Sequence, residues 1–247
     1  MLDGDDWVVD GAKQFITNSG SEITSLVTVT ARTGEDENGK AEISAIVVPS
    51  DTPGFTVEPA YDKLGWHISD THPLSFSGVR VPADHLLGER GRGYAQFLAT
   101  LDDGRVAIGA LAVGCIQACL DECVRYAGER ETFGKPIGAK QGVAFQISDL
   151  KVMLEASRAL VYQAAALKDG GVTGSAFKQA AAIAKLFASE SAVTATRIAT
   201  QVFGGYGFME EYPVARFYRD AKILEIGEGT SEVQRMVIAR GLGLPVE

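Results

Sequence analysis

Glu228 stands between Gly227 and Gly229 in the run Ile-Leu-Glu-Ile-Gly-Glu-Gly-Thr-Ser-Glu-Val, where a helical pattern pauses and restarts. Glycine has no Cβ, so the pair allows a strained turn and a close approach of a ligand to the backbone. Thr230 supplies an N-cap for a following helix through Val233, Val237 and Ile238. A carboxylate presented on that elbow can act as a base where its surroundings exclude water. On spacing alone the plainer reading is a helix-cap acid in an interhelical turn. Asp102 and Arg105, three residues apart on one helical face, have the spacing of an ion pair. Cys115, Cys119 and Cys123 share a helix face at four-residue spacing, which raises a metal or redox site. His67, His72 and His85 lie in a different region, however, and no Cys-x-x-Cys pair exists, so the cysteines are read as core packing and no metal site is expected.

The elements that must position these groups change character near residue 90. Before it, short β-rich runs (Trp7–Val9, Gln14–Thr17, Leu26–Thr30, Ile43–Val48, Phe55–Val57, Leu74–Phe76) alternate with turn signals such as Asp10-Gly11, Asn18-Ser19-Gly20 and Thr52-Pro53-Gly54. The polar stretch from Thr33 to Lys40 reads as a solvated hairpin loop. This pattern predicts a sheet-on-sheet or barrel-like domain over 1–90. After Gly93, apolar positions recur at three- and four-residue spacing, including Leu98, Leu101, Ile108, Leu111 and Leu120. Helices are expected over about 94–129, 141–168, 175–203 and 230–240, with Pro136, Gly170-Gly171 and Gly204-Gly205 as breakers. The fold class is therefore α+β: a partial β-sandwich or barrel-like domain, then an antiparallel four-helix bundle over 91–247.

With 46% hydrophobic and 22% charged residues, the composition is that of an ordinary globular protein. A net charge of -9 argues against nucleic-acid binding, which needs a basic face. No uninterrupted apolar stretch approaches the roughly 20 residues of a membrane helix, so no span is expected. The acidic start Met1-Leu2-Asp3-Gly4-Asp5-Asp6 lacks a signal-peptide pattern, and the expected location is the cytoplasm.

Several motifs in order resemble the acyl-CoA dehydrogenase family. Gly11-Ala12-Lys13-Gln14-Phe15-Ile16-Thr17-Asn18 is similar to its Gly-x-Lys-x-Trp-Ile-Thr-Asn segment. Lys63-Leu64-Gly65, Ser69-Asp70-Thr71, Val79-Arg80-Val81-Pro82 and Leu87-Gly88 resemble the end of its middle β-domain. Arg130-Glu131-Thr132-Phe133-Gly134 with Gln141, then Gln201-Val202-Phe203-Gly204-Gly205-Tyr206-Gly207 and Tyr212-Pro213, precede the Glu-Gly-Thr triplet at Glu228, which the family uses as its base. The resemblance covers essentially the whole chain.

It implies FAD as cofactor, lying between the β-domain and the bundle near a subunit interface. Phe15, Ile16 and Thr17 would lie against the isoalloxazine. Arg130, Phe133, Gln141, Gln201, Gly204 and Gly205 would reach a neighbouring subunit's FAD, Arg130 as a permanently charged fork for the pyrophosphate. Thr230 and Glu232 would close over the flavin, and Asp102, Arg105 and Gly229 would border the acyl-CoA. Some relatives carry the base on the first bundle helix, just before the Arg; here that position is Gly104, so the role falls on Glu228.

The implied activity is insertion of an α,β double bond into an acyl-CoA thioester in fatty acid β-oxidation. Glu228 would take the α proton and flavin N5 the hydride, while the Glu228 N–H and a ribityl hydroxyl stabilise the enolate-like oxygen. The implied partners are an electron-transfer flavoprotein as acceptor and further copies of the chain, as dimer or tetramer. The family's N-terminal helical domain and the first half of the β-domain have no counterpart here, so a partner supplying them is a further expectation. Phe15 for Trp, Gly227 for a common Tyr and His67 for a frequent Arg depart from the pattern. Two other readings compete: a non-catalytic scaffold completing a partner's FAD site, and an oxidase or monooxygenase on the same fold.

Overall fold

The computed structural model describes residues 1–246. They form two compact units, Met1–Thr100 and Leu101–Glu247.

In the first unit, β2 (Asp6–Thr17) pairs with β1 (Leu2–Asp3) and β6 (Thr71–Pro82), and β5 (Phe55–Val57) adds to the far edge of β6. A second sheet joins β3 (Leu26–Glu35), β4 (Ala41–Pro49) and β7 (Leu86–Leu87). Trp7, Val9, Val27, Val29, Ile46, Val48, Leu74, Phe76, Val79 and Val81 form one core cluster with members on both sheets. The Lys13 ammonium on β2 donates to the Thr30 carbonyl on β3 at 2.7 Å. The expected two-sheet domain is thus present, with longer strands than the apolar runs alone suggest.

Trp7–Val9 and Gln14–Thr17 are one strand, because bulges carry the ladder across the polar residues between them. At the first bulge Asp10 accepts from the Gly78 N–H at 2.6 Å. The slip keeps both Phe76 and Val79 inward although they are three residues apart. The second bulge falls between Lys13 and Ile16, and Phe15 within it has φ +59. In the β3–β4 hairpin, Asp36 Oδ1 accepts from the N–H groups of Asn38 and Lys40.

The helices are α1 (Gly93–Glu129), α2 (Gln141–Asp169), α3 (Gly174–Phe203), α4 (Pro213–Ala221) and α5 (Ser231–Gly241). The short α4, begun by Pro213, adds to the four expected. Between α1 and α2 a two-strand hairpin pairs β8 (Glu131–Thr132) with β9 (Lys135–Pro136). Helix α3 packs against α2, α4 and α5. Ala181, Ala184, Ala188, Ala192, Ala195 and Ala199 are fully buried along it, and small side chains let its neighbours approach closely.

The buried stripe of α1 includes Leu120, Cys119 and Cys123 as expected and departs from expectation nearer the start of the helix. It runs through Asp102, Arg105, Ala112, Ile116, Cys119, Cys123 and Tyr126, whereas Leu111 is 52% exposed. Burial raises the Cys123 thiol to about 12, and the hydrogen bond with Cys115 and burial raise Cys119 further, as for thiols that only pack. Among the described residues α1 is the one helix long and apolar enough to cross a membrane by length and composition. Its buried ion pair and its packing cysteines are those of a bundle helix.

Candidate active site

Ahead of Glu228 the chain leaves α4 through a 3-10 turn over Lys222–Glu225, closed by the Ile226 and Gly227 N–H groups on the Ile223 carbonyl. The Thr230 hydroxyl then accepts from the Val233 N–H and starts α5, the capping role its position predicts. Of the two glycines only Gly229 is left-handed, and the strain falls on Glu228 beside it. Glu228 itself has φ +54 and Gly229 φ +92, while Gly227 is not left-handed. A Cβ at Gly227 would stand 3.4 Å from the Ile223 carbonyl, an ordinary contact, so this glycine is not required by the turn. For a non-glycine residue the left-handed region costs roughly 1–2 kcal/mol and persists only where the surroundings enforce it.

Two side chains that sequence reasoning missed enforce it. The Lys185 ammonium, on α3, donates to the Gly229 carbonyl at 2.8 Å. The Gln234 amide, on α5, donates to the same carbonyl at 2.9 Å and to the Glu228 carbonyl at 3.2 Å. Both residues are 0% exposed. The signal for Lys185 was present: it is the lone cation in Ala-Ala-Ala-Ile-Ala-Lys. For Gln234 the apolar pattern misled, because α5 buries Ser231 and Gln234 and leaves Val233 38% exposed.

Glu228 is half-buried, and its carboxylate faces Gly104 on α1. A Cβ at Gly104 would lie 2.4 Å from Glu228 Oε2. Flanking Gly104, Asp102 and Arg105 pair at 2.5 Å with side chains 9% and 6% exposed, so the pair is interior. Lys178 approaches the other Asp102 oxygen at 3.7 Å, and Arg105 Nε is buried without a partner. Removing one member of such a pair leaves an uncompensated buried charge and typically costs about 3–5 kcal/mol.

Burial draws the Lys185 ammonium down to about 8; Glu225, Glu228 and Glu190 oppose that shift and Arg105 reinforces it. Above pH 8 the unfolded chain therefore binds more protons at this lysine than the folded one, and stability rises with pH up to the unfolded value near 10.5. The full gain is on the order of 3 kcal/mol. Thermal unfolding of the parent and Lys185→Met across pH 7.5–10 is expected to show this rise in the parent alone.

A second group of the predicted residues meets at the end of α1. Arg130, Gly204 and Gly205 line a groove of about 630 Å3 with Tyr126, Thr132, Phe203 and Tyr206. The Arg130 guanidinium stacks over Tyr206, and Tyr126 stacks on Phe203 with ring centres 4.1 Å apart. Gly204 has φ +60, and nothing stands within 4 Å of a Cβ at either glycine. Phe133, at the tip of the β8–β9 hairpin, has φ +55 and is 97% exposed under the Lys140 ammonium. Gln141 opens α2 and Gln201 lies near the end of α3, both exposed. Glu232 is exposed in the first turn of α5, its carboxyl held low by its own N–H and the Thr230 hydroxyl. Phe15, Ile16 and Thr17 belong to the first unit, where Phe15 is exposed and tilted against Tyr61.

Two family models match the chain in tandem: the acyl-CoA dehydrogenase middle domain over residues 1–79 and the acyl-CoA dehydrogenase C-terminal domain over 91–243. The chain belongs to the acyl-CoA dehydrogenase family. It is 50% identical over 242 residues to a Bacillus subtilis protein named "Probable acyl-CoA dehydrogenase YngJ", a match spanning 98% of this chain and 62% of that protein. The butyryl-CoA dehydrogenase structure from Megasphaera elsdenii superposes with a TM-score of 0.91 at 44% identity, covering 97% of this chain and 61% of that one. A chain from a study of the electron transferring flavoprotein of Acidaminococcus fermentans and flavin-based electron bifurcation superposes with a TM-score of 0.91 at 41% identity, over 98% and 62%. The chain thus spans about three fifths of the length of these relatives.

Proposed function

We propose that this chain carries the base and part of the cofactor site of an FAD-dependent acyl-CoA dehydrogenase, which inserts an α,β double bond into an acyl-CoA thioester. The observation that carries the reading is the Glu228 carboxylate on a left-handed elbow, facing a helix position with no side chain and neighboured by the buried Lys185 ammonium. Gly104, with no side chain, lets the carboxylate lie directly against α1. Glu228 takes the proton α to the thioester carbonyl. Its own N–H stabilises the charge that develops on the carbonyl oxygen, without which a thioester α proton is too weakly acidic for a carboxylate. Gly229, free of a side chain, lets the thioester approach the backbone at that point. Thr230 and Glu232 would close over the flavin.

The residues present fit FAD by their chemistry. Arg130 offers a planar cationic fork for a pyrophosphate, Gly204 and Gly205 leave their backbone open to it, and Gln141 and Gln201 add exposed amides. The exposed Phe15 ring, Ile16 and Thr17 offer an apolar surface and a hydroxyl to a planar ring system. When bound, FAD would supply the acceptor for the hydride leaving the β carbon. The near-complete exposure of Phe133 supports its reaching another subunit's site, and exposed Leu111, Val124, Phe145, Val152 and Tyr162 support assembly into a homo-oligomer. An electron-transfer flavoprotein is the proposed acceptor, supported by the Acidaminococcus match, and the cytoplasm the proposed location. Megasphaera elsdenii and Bos taurus relatives named short-chain specific, at 44% and 46% identity, make butyryl-CoA the first substrate to try.

The test is anaerobic addition of acyl-CoA thioesters of increasing length to the FAD-loaded full protein. Bleaching of the flavin without oxygen is expected, strongest with the short chains. Bound flavin that no thioester bleaches would refute the dehydrogenase reading.

A further inference from the structure

We propose that Lys185 and Gln234 form a clamp that positions the base by holding the Glu228 and Gly229 carbonyls from beneath. The inference rests on the reading of Glu228 as the base, and it assigns a role to two residues that the proposed chemistry does not touch.

Its first support is the direction of the bonds. Two successive carbonyls of the elbow turn inward, the Gly229 oxygen taking donors from both Lys185 and Gln234 and the Glu228 oxygen a third bond from Gln234. Consecutive carbonyls on one side of a chain are unusual outside a helix, and here they accompany left-handed values at both residues. Gly229, at φ +92, sits where glycine is favoured, and a Cβ there would press on the Gln234 amide nitrogen at 2.8 Å.

The second support is that helix α5 does not need these bonds. Its N-terminus is capped by the Thr230 hydroxyl, and the carbonyls that the clamp holds precede the helix. The third is the cost of the arrangement. A fully buried ammonium loses its hydration, and an apolar side chain of the same length would fill the space without that loss. What the ammonium adds is a charged donor aimed at one peptide carbonyl. The charges acting on it are those of Glu225, Arg105, Glu228 and Glu190. Without the clamp, the peptide between Glu228 and Gly229 can rotate into a relaxed conformation, and the carboxylate leaves its place over Gly104.

Lys185→Met and Gln234→Leu, made in the full protein, test this, with Glu228→Gln as the control for the base itself. In the absence of cofactor, hydrogen–deuterium exchange of the peptide covering residues 222–230 is expected to speed up about tenfold or more in both variants, while α3 and the rest of α5 keep their protection. With FAD and butyryl-CoA, kcat is expected to fall about ten- to a hundredfold at a KM within about twofold of the parent. Loosening spread evenly over α3 and α5 would overturn the positioning role, as would parental kcat in either folded variant. Should Lys185→Met fail to fold, Gln234→Leu decides alone by the same two readouts. If Glu228→Gln bleaches flavin as fast as the parent, the reading of the base falls, and the exchange measurement still judges the clamp.

Discussion

Glu228→Gln is expected to fold and bind FAD as the parent does while losing acyl-CoA-dependent flavin bleaching by about ten-thousand-fold. The substitution keeps the side chain's length and shape and removes only its capacity to take a proton. The interactions that set the elbow end on backbone carbonyls, so they survive the change. The neighbouring charge of Lys185 also remains, and the amide fits the same place against Gly104. A mixing experiment under anaerobic conditions, following the visible flavin band after addition of butyryl-CoA, reads the loss directly. An unchanged thermal midpoint and unchanged flavin content would show that the loss is chemical. Bleaching at the parental rate would mean that another group takes the proton.

Much of the architecture was legible because its signals are local. The β-branched run that opens β3 alternates outward and inward, and glycine pairs mark the ends of α2 and α3. What was not legible is where local signals are overruled by pairing across the fold. The bulges in β2 absorb Asp10 and Gln14–Phe15, so two short runs become one strand. On α1 the large apolar residues looked like the core face, and Leu120 and the cysteines Cys119 and Cys123 are buried, yet the helix also buries Asp102, Arg105 and Ala112 while Leu111 faces outward. Large residues such as Leu111 are left outside the packing of this chain. Helical periodicity finds a stripe, and neither composition nor spacing says whether that stripe meets its own unit or another surface.

The candidate site divides the same way. Glu228, Gly229 and Thr230 are adjacent in sequence, and the triplet announces itself. Arg130 is far from Gly204 and Gly205 in the chain and meets them because α1 and α3 end beside each other. Lys185 and Gln234 carry no motif, because their partners are main-chain carbonyls, which any sequence possesses. Only coordinates give such partners. The same holds for the strain, which sits at Glu228 and not at Gly227.

Moving the base to the facing helix is expected to recover activity that its deletion destroys. A Cβ on Gly104 would stand 2.4 Å from Glu228 Oε2 and 2.8 Å from Cδ, so positions 104 and 228 address the same space from opposite sides. Three variants follow from that distance. Gly104→Leu puts a side chain where the carboxylate sits, and kcat should drop about a hundredfold by displacement of the base alone. Glu228→Gly removes the base and relieves the left-handed strain, so the protein should be inactive and no less stable. Adding Gly104→Glu to Glu228→Gly brings a carboxylate into the vacated space from α1. That combination should bleach flavin at least about tenfold faster than Glu228→Gly, short of the parent because the approach angle differs. It should also gain about 1 kcal/mol of stability on α1, since glycine inside a helix is a poor former. The single variant Gly104→Glu, with Glu228 intact, crowds two carboxylates into one site and should be slower than the parent. If the double variant is no faster than Glu228→Gly, the two positions do not share a reacting atom, and the place assigned to the thioester α carbon is wrong.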